Sequence, residues 1–237
     1  MKKQNKAFTL AEVLITLVII GVVSALTMPT LIQKHKKKVF ATRAKQTYSQ
    51  LSQAIQLSIV QNGEPKYWDV NNGGWTFENT ERVLKQYILP YLKSPKFCAN
   101  GMGDEAKAKC GAAAFTVSQT YILTNGVAIS LLPGKLSGNI LLNIVIDVNG
   151  PKSPNRMGYD QFQFMLMEEN GKMSTVGGRY DLTREDILAG KQVEIDKGTH
   201  SVACKKSKTD EEDIYYRHGC TALLMLDGWE FKDDYPW

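Results

Sequence analysis

The sequence predicts an α+β protein: a long N-terminal helix, its first half membrane-spanning, packed on an antiparallel β-sheet head. Three observations carry this. The run Phe8 to Ile32 has 25 residues and one charge, Glu12. Helical periodicity then continues to Gln61. Beyond residue 120 the period shortens to two, and turn residues separate β-prone runs. The 237 residues, 43% hydrophobic, suffice for one domain with a core and an appendage. This composition excludes disordered, collagen-like and polytopic membrane classes. The net charge is +5, but residues 1–38 carry +6 and the rest −1. Basicity flanks one apolar segment rather than lining a groove, so no nucleic-acid partner is expected.

Val13 to Ile32 is a stretch of 20 uncharged residues. As a helix it crosses a hydrocarbon core of roughly 30 Å. A secretory signal peptide has a shorter apolar region, about 7–15 residues, and a small-x-small cleavage site. Ser24-Ala25-Leu26 provides a poor one. On these features alone the segment is a signal anchor or an uncleaved signal peptide. Glu12 changes the weighting. A carboxylate in an apolar helix costs about 2.5–3.5 kcal/mol at the bilayer centre, and less near an interface. It either snorkels to the headgroups or finds a cation, and the run contains none. Cleavage between Ala7 and Phe8 would create one, an α-amine four residues before Glu12.

The segment Lys6-Ala7-Phe8-Thr9-Leu10-Ala11-Glu12-Val13-Leu14-Ile15 resembles the prepilin cleavage and methylation segment of type IV pilins and type II secretion pseudopilins. The resemblance spans roughly residues 2 to 60. It implies a pilin-like fold and a membrane peptidase that cuts before Phe8 and N-methylates it. Ala7 stands where the family usually has glycine. Pro29 falls where many members carry proline. Glu12 is then the assembly carboxylate, paired with a neighbouring subunit's amine and fixing axial register more than adding stability. The implied partners are the prepilin peptidase, other pilin or pseudopilin subunits, the inner-membrane assembly platform and the lipid bilayer. The implied organisation is a cleaved leader (1–7), a long helix (8–62) with its transmembrane segment (8–32), and an extracytoplasmic head (63–237). Three lysines precede the apolar run and four follow it, so charge counting does not settle orientation. The processing motif places the leader in the cytoplasm and the head outside.

Past the membrane segment, Phe40, Ala44, Tyr48, Leu51, Ile55 and Ile59 recur at spacings of three and four, one face of a helix. Asn62-Gly63 stops it and Pro65 follows. A helix from Phe8 to Gln61 is about 80 Å long. Pro29 removes one hydrogen bond and is expected to kink or locally unwind it. Residues 63–76 read as a loop. Asn79 to Leu92 reads as a second helix disturbed by Pro90. Thr120–Thr124, Asn125-Gly126 and Val127–Leu131 read as a hairpin with a type I′ turn. Ile140–Val148 and Phe162–Met167 read as strands, with a turn at Glu169–Lys172. A further short strand is expected at Thr221–Leu226.

Asp147, Asn149 and Asp160 frame a segment rich in Gly, Pro and Asn. Their hard oxygens suit calcium, although the spacing is not that of an EF-hand. The alternative is a turn whose aspartates bond backbone N–H groups. Cys98, Cys110, Cys204 and Cys220 form an even set beyond the membrane segment, which suggests two disulfides. Three pairings exist. Cys98–Cys110 with Cys204–Cys220 is favoured because each pair brackets a short polar segment. The second would resemble the disulfide-bounded C-terminal loop of type IV pilins, though 17 residues follow it. Zinc is the rival, without a C-x-x-C pair. His35, His200 and His218 read as surface residues, Asp210–Asp213 as a solvated acidic run, and Trp229, Tyr235 and Trp237 as head packing. No nucleotide-binding or hydrolase motif is present, so no enzymatic activity and no resident cofactor other than the calcium candidate are expected. Two competing functions are a non-polymerising, signal-anchored envelope binding protein or adhesin, and an anchored envelope enzyme.

Overall fold

The computed structural model describes residues 9–112, 115–136, 139–195, 198–206 and 217–237. The chain divides into two compact units, Met1–Val39 and Phe40–Trp237. The division falls inside the first helix, α1 (Leu10–Asn62).

In the first unit α1 is uncharged from Val13 to Ile32, and an 18-residue window of it has mean hydropathy 2.4 with none of it buried. This helix is long and apolar enough to cross a membrane by length and composition. The expected unwinding at Pro29 does not occur, because α1 is helical without interruption from Leu10 to Asn62. Nearby, the Thr27 hydroxyl donates to the Val23 carbonyl at 2.9 Å and that of Thr30 to the Thr27 carbonyl at 2.8 Å.

In the second unit α1 becomes amphipathic. Phe40, Ala41, Ala44, Thr47, Leu51, Ala54, Ile55 and Ser58 are buried. The expected stripe is there, although Tyr48 and Ile59 are only half-buried. The Tyr48 ring lies 5.3 Å from that of Phe164, and Arg43 Nη1 donates to the Val148 carbonyl at 3.0 Å. These contacts seat the helix on the sheet.

After a 3-10 turn at Pro65–Tyr67 comes α2 (Phe77–Tyr87), capped by the Thr76 hydroxyl, which accepts from the Asn79 N–H. The α-helix ends earlier than predicted. Pro90 leaves only a 3-10 turn at Leu89–Tyr91. Two elements follow that the sequence did not signal, β1 (Lys96–Asn100) and α3 (Asp104–Cys110).

The main sheet is an antiparallel meander: β1, β2 (Gln119–Ile122), β3 (Ala128–Leu136), β4 (Ile140–Asp147), β5 (Gln161–Met167) and β6 (Met173–Ser174), side by side in chain order. Every residue of β4 is buried, so this strand is covered on both faces. The β2–β3 hairpin forms as predicted, with Ile122 opposite Ala128, but its turn is not type I′. Type I′ needs positive φ at both central residues. Here only Gly126 has it (+81°), and the Gly126 N–H closes onto the Leu123 carbonyl at 2.9 Å. Asn125 instead turns its side-chain oxygen onto the Val127 N–H at 3.1 Å.

Beyond β6 lie α4 (Val176–Arg179), α5 (Arg184–Ala189), a two-stranded sheet of β7 (Lys191–Ile195) and β8 (Gly198–Val202), and α6 (Cys220–Leu226). The strand expected at Thr221–Leu226 is therefore a helix. Its residues 220–224 are all buried, so the run lacks the polar face that would have revealed its period. Ala, Leu and Met are strong helix formers, which decides the matter locally. α4 meets α6 at Gly177, where an added Cβ would lie 2.7 Å from Ala222 Cβ. α6 meets β5 through Thr221 Oγ1, which accepts from the Gln163 N–H at 3.0 Å.

Candidate assembly segment and head loops

The helix that carries the predicted assembly carboxylate starts with a reciprocal pair. Glu12 Oε2 accepts from the Thr9 N–H at 2.9 Å and from the Thr9 hydroxyl at 2.8 Å. The Glu12 N–H donates to Thr9 Oγ1 at 3.2 Å. This is a capping box, in which two N-terminal N–H groups otherwise left open are satisfied. Its sequence signal is Thr9 followed three residues later by Glu12, a cue distinct from the charge of Glu12. Ala7 and Phe8 lie outside the described residues. Around Glu12, Leu10, Leu14 and Ile15 are exposed apolar side chains. A lone protein chain thus presents a carboxylate at the start of an uncovered apolar rod. In a lipid phase the rod would be covered, while the carboxylate would cost energy unless it reached the interface or a cation.

The cysteines pair as favoured. Cys98 bonds to Cys110 and Cys204 to Cys220. The first closes β1 and α3 into a loop. The second ties the end of the β8 segment to the start of α6, where it helps hold the C-terminal region on the sheet. With all four engaged, none remains as a zinc ligand.

Asp147, Asn149 and Asp160 are brought together at the β4–β5 connection. Both aspartates are fully buried. Asp147 accepts from the Asn149 N–H at 3.2 Å and from Gln161 Nε2 at 3.1 Å. Asp160 accepts from the N–H groups of Asn155 at 3.0 Å and Arg156 at 2.7 Å. Burial, followed by the charge of Asp160, pushes the Asp147 carboxyl up to about 8. Burial likewise pushes Asp160 up, against the pull of its N–H donors. Turn-type bonds to backbone are therefore present, as the alternative reading required. Asn149 Oδ1 is buried there without a hydrogen-bond partner.

The C-terminal aromatics are core. Tyr235 is buried, and its hydroxyl donates to the Gly158 carbonyl at 2.7 Å. Trp237 packs on Phe40, Tyr159 and Phe231 with ring centroids 5.9, 4.7 and 4.7 Å apart. Trp229 lies 5.4 Å from the Tyr48 ring. Asp210–Asp213 lie outside the described residues. No cluster of three or more His, Cys, Asp or Glu side chains forms among the described residues.

A family model described as a family of unknown function, DUF6613, matches residues 30–237. The chain belongs to DUF6613. In this DUF6613 member a second model, the prokaryotic N-terminal methylation motif, matches residues 2–28. The two matches meet near Pro29. The first covers the head with the distal part of α1, and the second covers the apolar start. No curated protein matches the chain, and no solved structure does. The methylation motif, the apolar α1 and the sheet-bearing head together make this DUF6613 chain a pilin- or pseudopilin-type precursor, of the kind processed by prepilin peptidase. It is a membrane-anchored, envelope-associated protein.

Proposed function

We propose that the protein is a non-enzymatic structural subunit of a type IV pilus or type II secretion pseudopilus. It is cut between Ala7 and Phe8, methylated at Phe8, and assembled through α1. The observation that carries this reading is the methylation motif at the head of a helix whose first half has no cover of its own. A filament supplies that cover by packing apolar helices together. It also supplies the amine that neutralises Glu12. The head stands outside the cytoplasm, where its two disulfides are chemically at home. The inner-membrane assembly platform and other pilin or pseudopilin subunits are its partners.

Filament shearing from the native host tests this. Immunoblots of the sheared fraction, for a surface pilus, or of the cell envelope, for a periplasmic pseudopilus, should contain the processed chain, and they should lose the processed form when the prepilin peptidase is deleted. Recovery of the chain only in membranes with Met1–Ala7 retained, whether or not the peptidase is present, would instead support a signal-anchored binding protein. Immunogold labelling then separates a surface pilus from a periplasmic pseudopilus.

A further inference from the structure

A collar of positive charge follows the apolar half of α1. Two residues after Ile32 the sequence runs Lys34, His35, Lys36, Lys37, Lys38. All five lie on continuous helix, where each residue advances about 100° and 1.5 Å. The four lysines therefore fall near 0°, 200°, 300° and 40° around the axis, spread about the rod rather than along one face. Their Cα atoms stand about 3–9 Å beyond that of Ile32. Lys34, His35 and Lys38 are exposed, and Lys36 and Lys37 are half-buried. The sequence holds no acidic residue between Glu12 and Glu64. Past its first turn, α1 thus carries charge of one sign.

A bilayer meets such a rod from all sides and at one depth. Its hydrocarbon core is about 30 Å thick, and the headgroup layer adds roughly 5–7 Å on each face. The uncharged run from Val13 to Ile32 is long enough to fill that core. The lysines then stand at the level of the lipid phosphates, and their flexible stems let each ammonium settle there. A nucleic-acid duplex or an acidic protein lying against the rod would touch one side of the collar only. Lys36, Lys37 and Lys38 also engage other groups of the chain. An ammonium has three donors and can share them.

We propose that Lys34, Lys36, Lys37 and Lys38 bind the phosphate headgroups of anionic phospholipids around the membrane anchor. The collar selects the lipids next to α1 and fixes the depth at which the helix sits. Zwitterionic lipids carry the same phosphate but cancel its charge, so the selection is for net negative headgroups. This inference rests on the membrane anchor alone. It holds whether or not the chain polymerises, and whichever leaflet the collar meets.

The test uses the full chain in detergent micelles that hold equal amounts of phosphatidylglycerol and phosphatidylcholine. Lys2, Lys3 and Lys6 are changed to Gln throughout, so that the collar alone is read. Native mass spectrometry counts the lipids each chain retains. Phosphatidylglycerol should be kept over phosphatidylcholine by about fivefold or more. The preference should shrink between about 0.1 and 1 M salt, as the Debye length falls from about 10 to 3 Å. Chloride and phosphate should act alike at equal ionic strength. Lys34→Gln, Lys36→Gln, Lys37→Gln and Lys38→Gln together should abolish the preference, and the corresponding Arg changes should keep it. Lys34→Gln with Lys38→Gln, both at exposed positions, should lower it and gives a second reading should the fourfold chain misfold. Gln at four exposed head lysines, Lys93, Lys96, Lys107 and Lys172, should leave it intact. Equal retention of the two lipids by the starting chain would overturn the proposal, and capture of duplex DNA in that case would give the collar to a nucleic acid. A preference that survives the Gln changes in a folded chain would also overturn it, as would one lost equally with the head lysines. Displacement by phosphate beyond that by chloride would replace the lipid surface with a site for a free anion.

Discussion

Thr9 and Glu12 hold each other at the first turn of α1, with the Thr9 N–H on Glu12 Oε2 at 2.9 Å and the Glu12 N–H on Thr9 Oγ1 at 3.2 Å. Glu12, the proposed assembly carboxylate, therefore has a local capping task of its own. Its capping task needs a side-chain acceptor, which glutamine also supplies. Its proposed pairing with an amine needs the negative charge. Glu12→Gln separates the two. The variant should insert in the membrane and keep its helix, yet be lost from sheared filaments. The check is an immunoblot of membrane and filament fractions side by side. Equal incorporation of the variant would remove Glu12 from assembly.

Gly177 marks the closest approach of α4 to α6. An alanine there would bring its Cβ to 2.7 Å from that of Ala222 and 3.1 Å from Ile187 Cδ1. Overpacking of this kind costs about 1–3 kcal/mol. Thermal unfolding should fall by roughly 2–4 °C for each kcal/mol in a domain of this size. Adding Ala222→Gly should restore part of the loss, because it removes the atom that clashes. A Tm unchanged by Gly177→Ala would show that the α4–α6 contact is looser than described.

Tyr235 anchors the C-terminal segment beneath the β4–β5 connection through its hydroxyl on the Gly158 carbonyl. Tyr235→Phe keeps the ring contacts, including the edge-on contact with Phe231 at 4.7 Å, and removes only the hydrogen bond. A buried carbonyl left unpaired costs about 1–3 kcal/mol. Urea unfolding should show a lower midpoint with an unchanged slope.

How much of this was legible beforehand depends on whether a residue's signal is local. The β2–β3 hairpin was, because alternation and Asn125-Gly126 both lie within a dozen residues. Its turn type was not, since Asn125 chose a side-chain bond to the Val127 N–H over a left-handed backbone. α6 was misread because it is buried almost all round, and a run without a polar face carries no period. β1 and α3 are short, and the Cys98–Cys110 bond with pairing to β2 holds them in place, so their stability is tertiary. The processing segment was legible because recognition by a peptidase must be written in consecutive residues. At the β4–β5 connection Asp147, Asn149 and Asp160 lie close in sequence, and the backbone N–H bonds of the turn reading are there. The close approach of Gly111 to Gly150 was invisible, because Gly111 comes from a loop more than thirty residues away.

Acid should loosen the C-terminal region first. Arg184 bridges Asp227 at 2.7 Å and Asp234 at 2.6 Å, and Lys232 reaches Asp227 at 2.8 Å. Burial alone would raise the Asp227 carboxyl, but hydrogen bonds from Arg184 and Lys232 outweigh it and hold the group below its ordinary value. The Arg184 hydrogen bond does the same for Asp234. A depressed folded-state value contributes stability above the unfolded value of about 3.9, and that contribution is lost as pH falls through the folded value. Tm measured downward from pH 6 should therefore drop below about pH 4. Arg184→Gln should flatten that drop while lowering Tm near neutrality.

The central claim is that this DUF6613 chain is matured as a prepilin. Intact-mass and N-terminal peptide mass spectrometry on protein from native membranes tests it most directly. The account predicts a chain that begins at N-methyl-Phe8. A chain that retains Met1–Ala7 in a host with an active prepilin peptidase would contradict it.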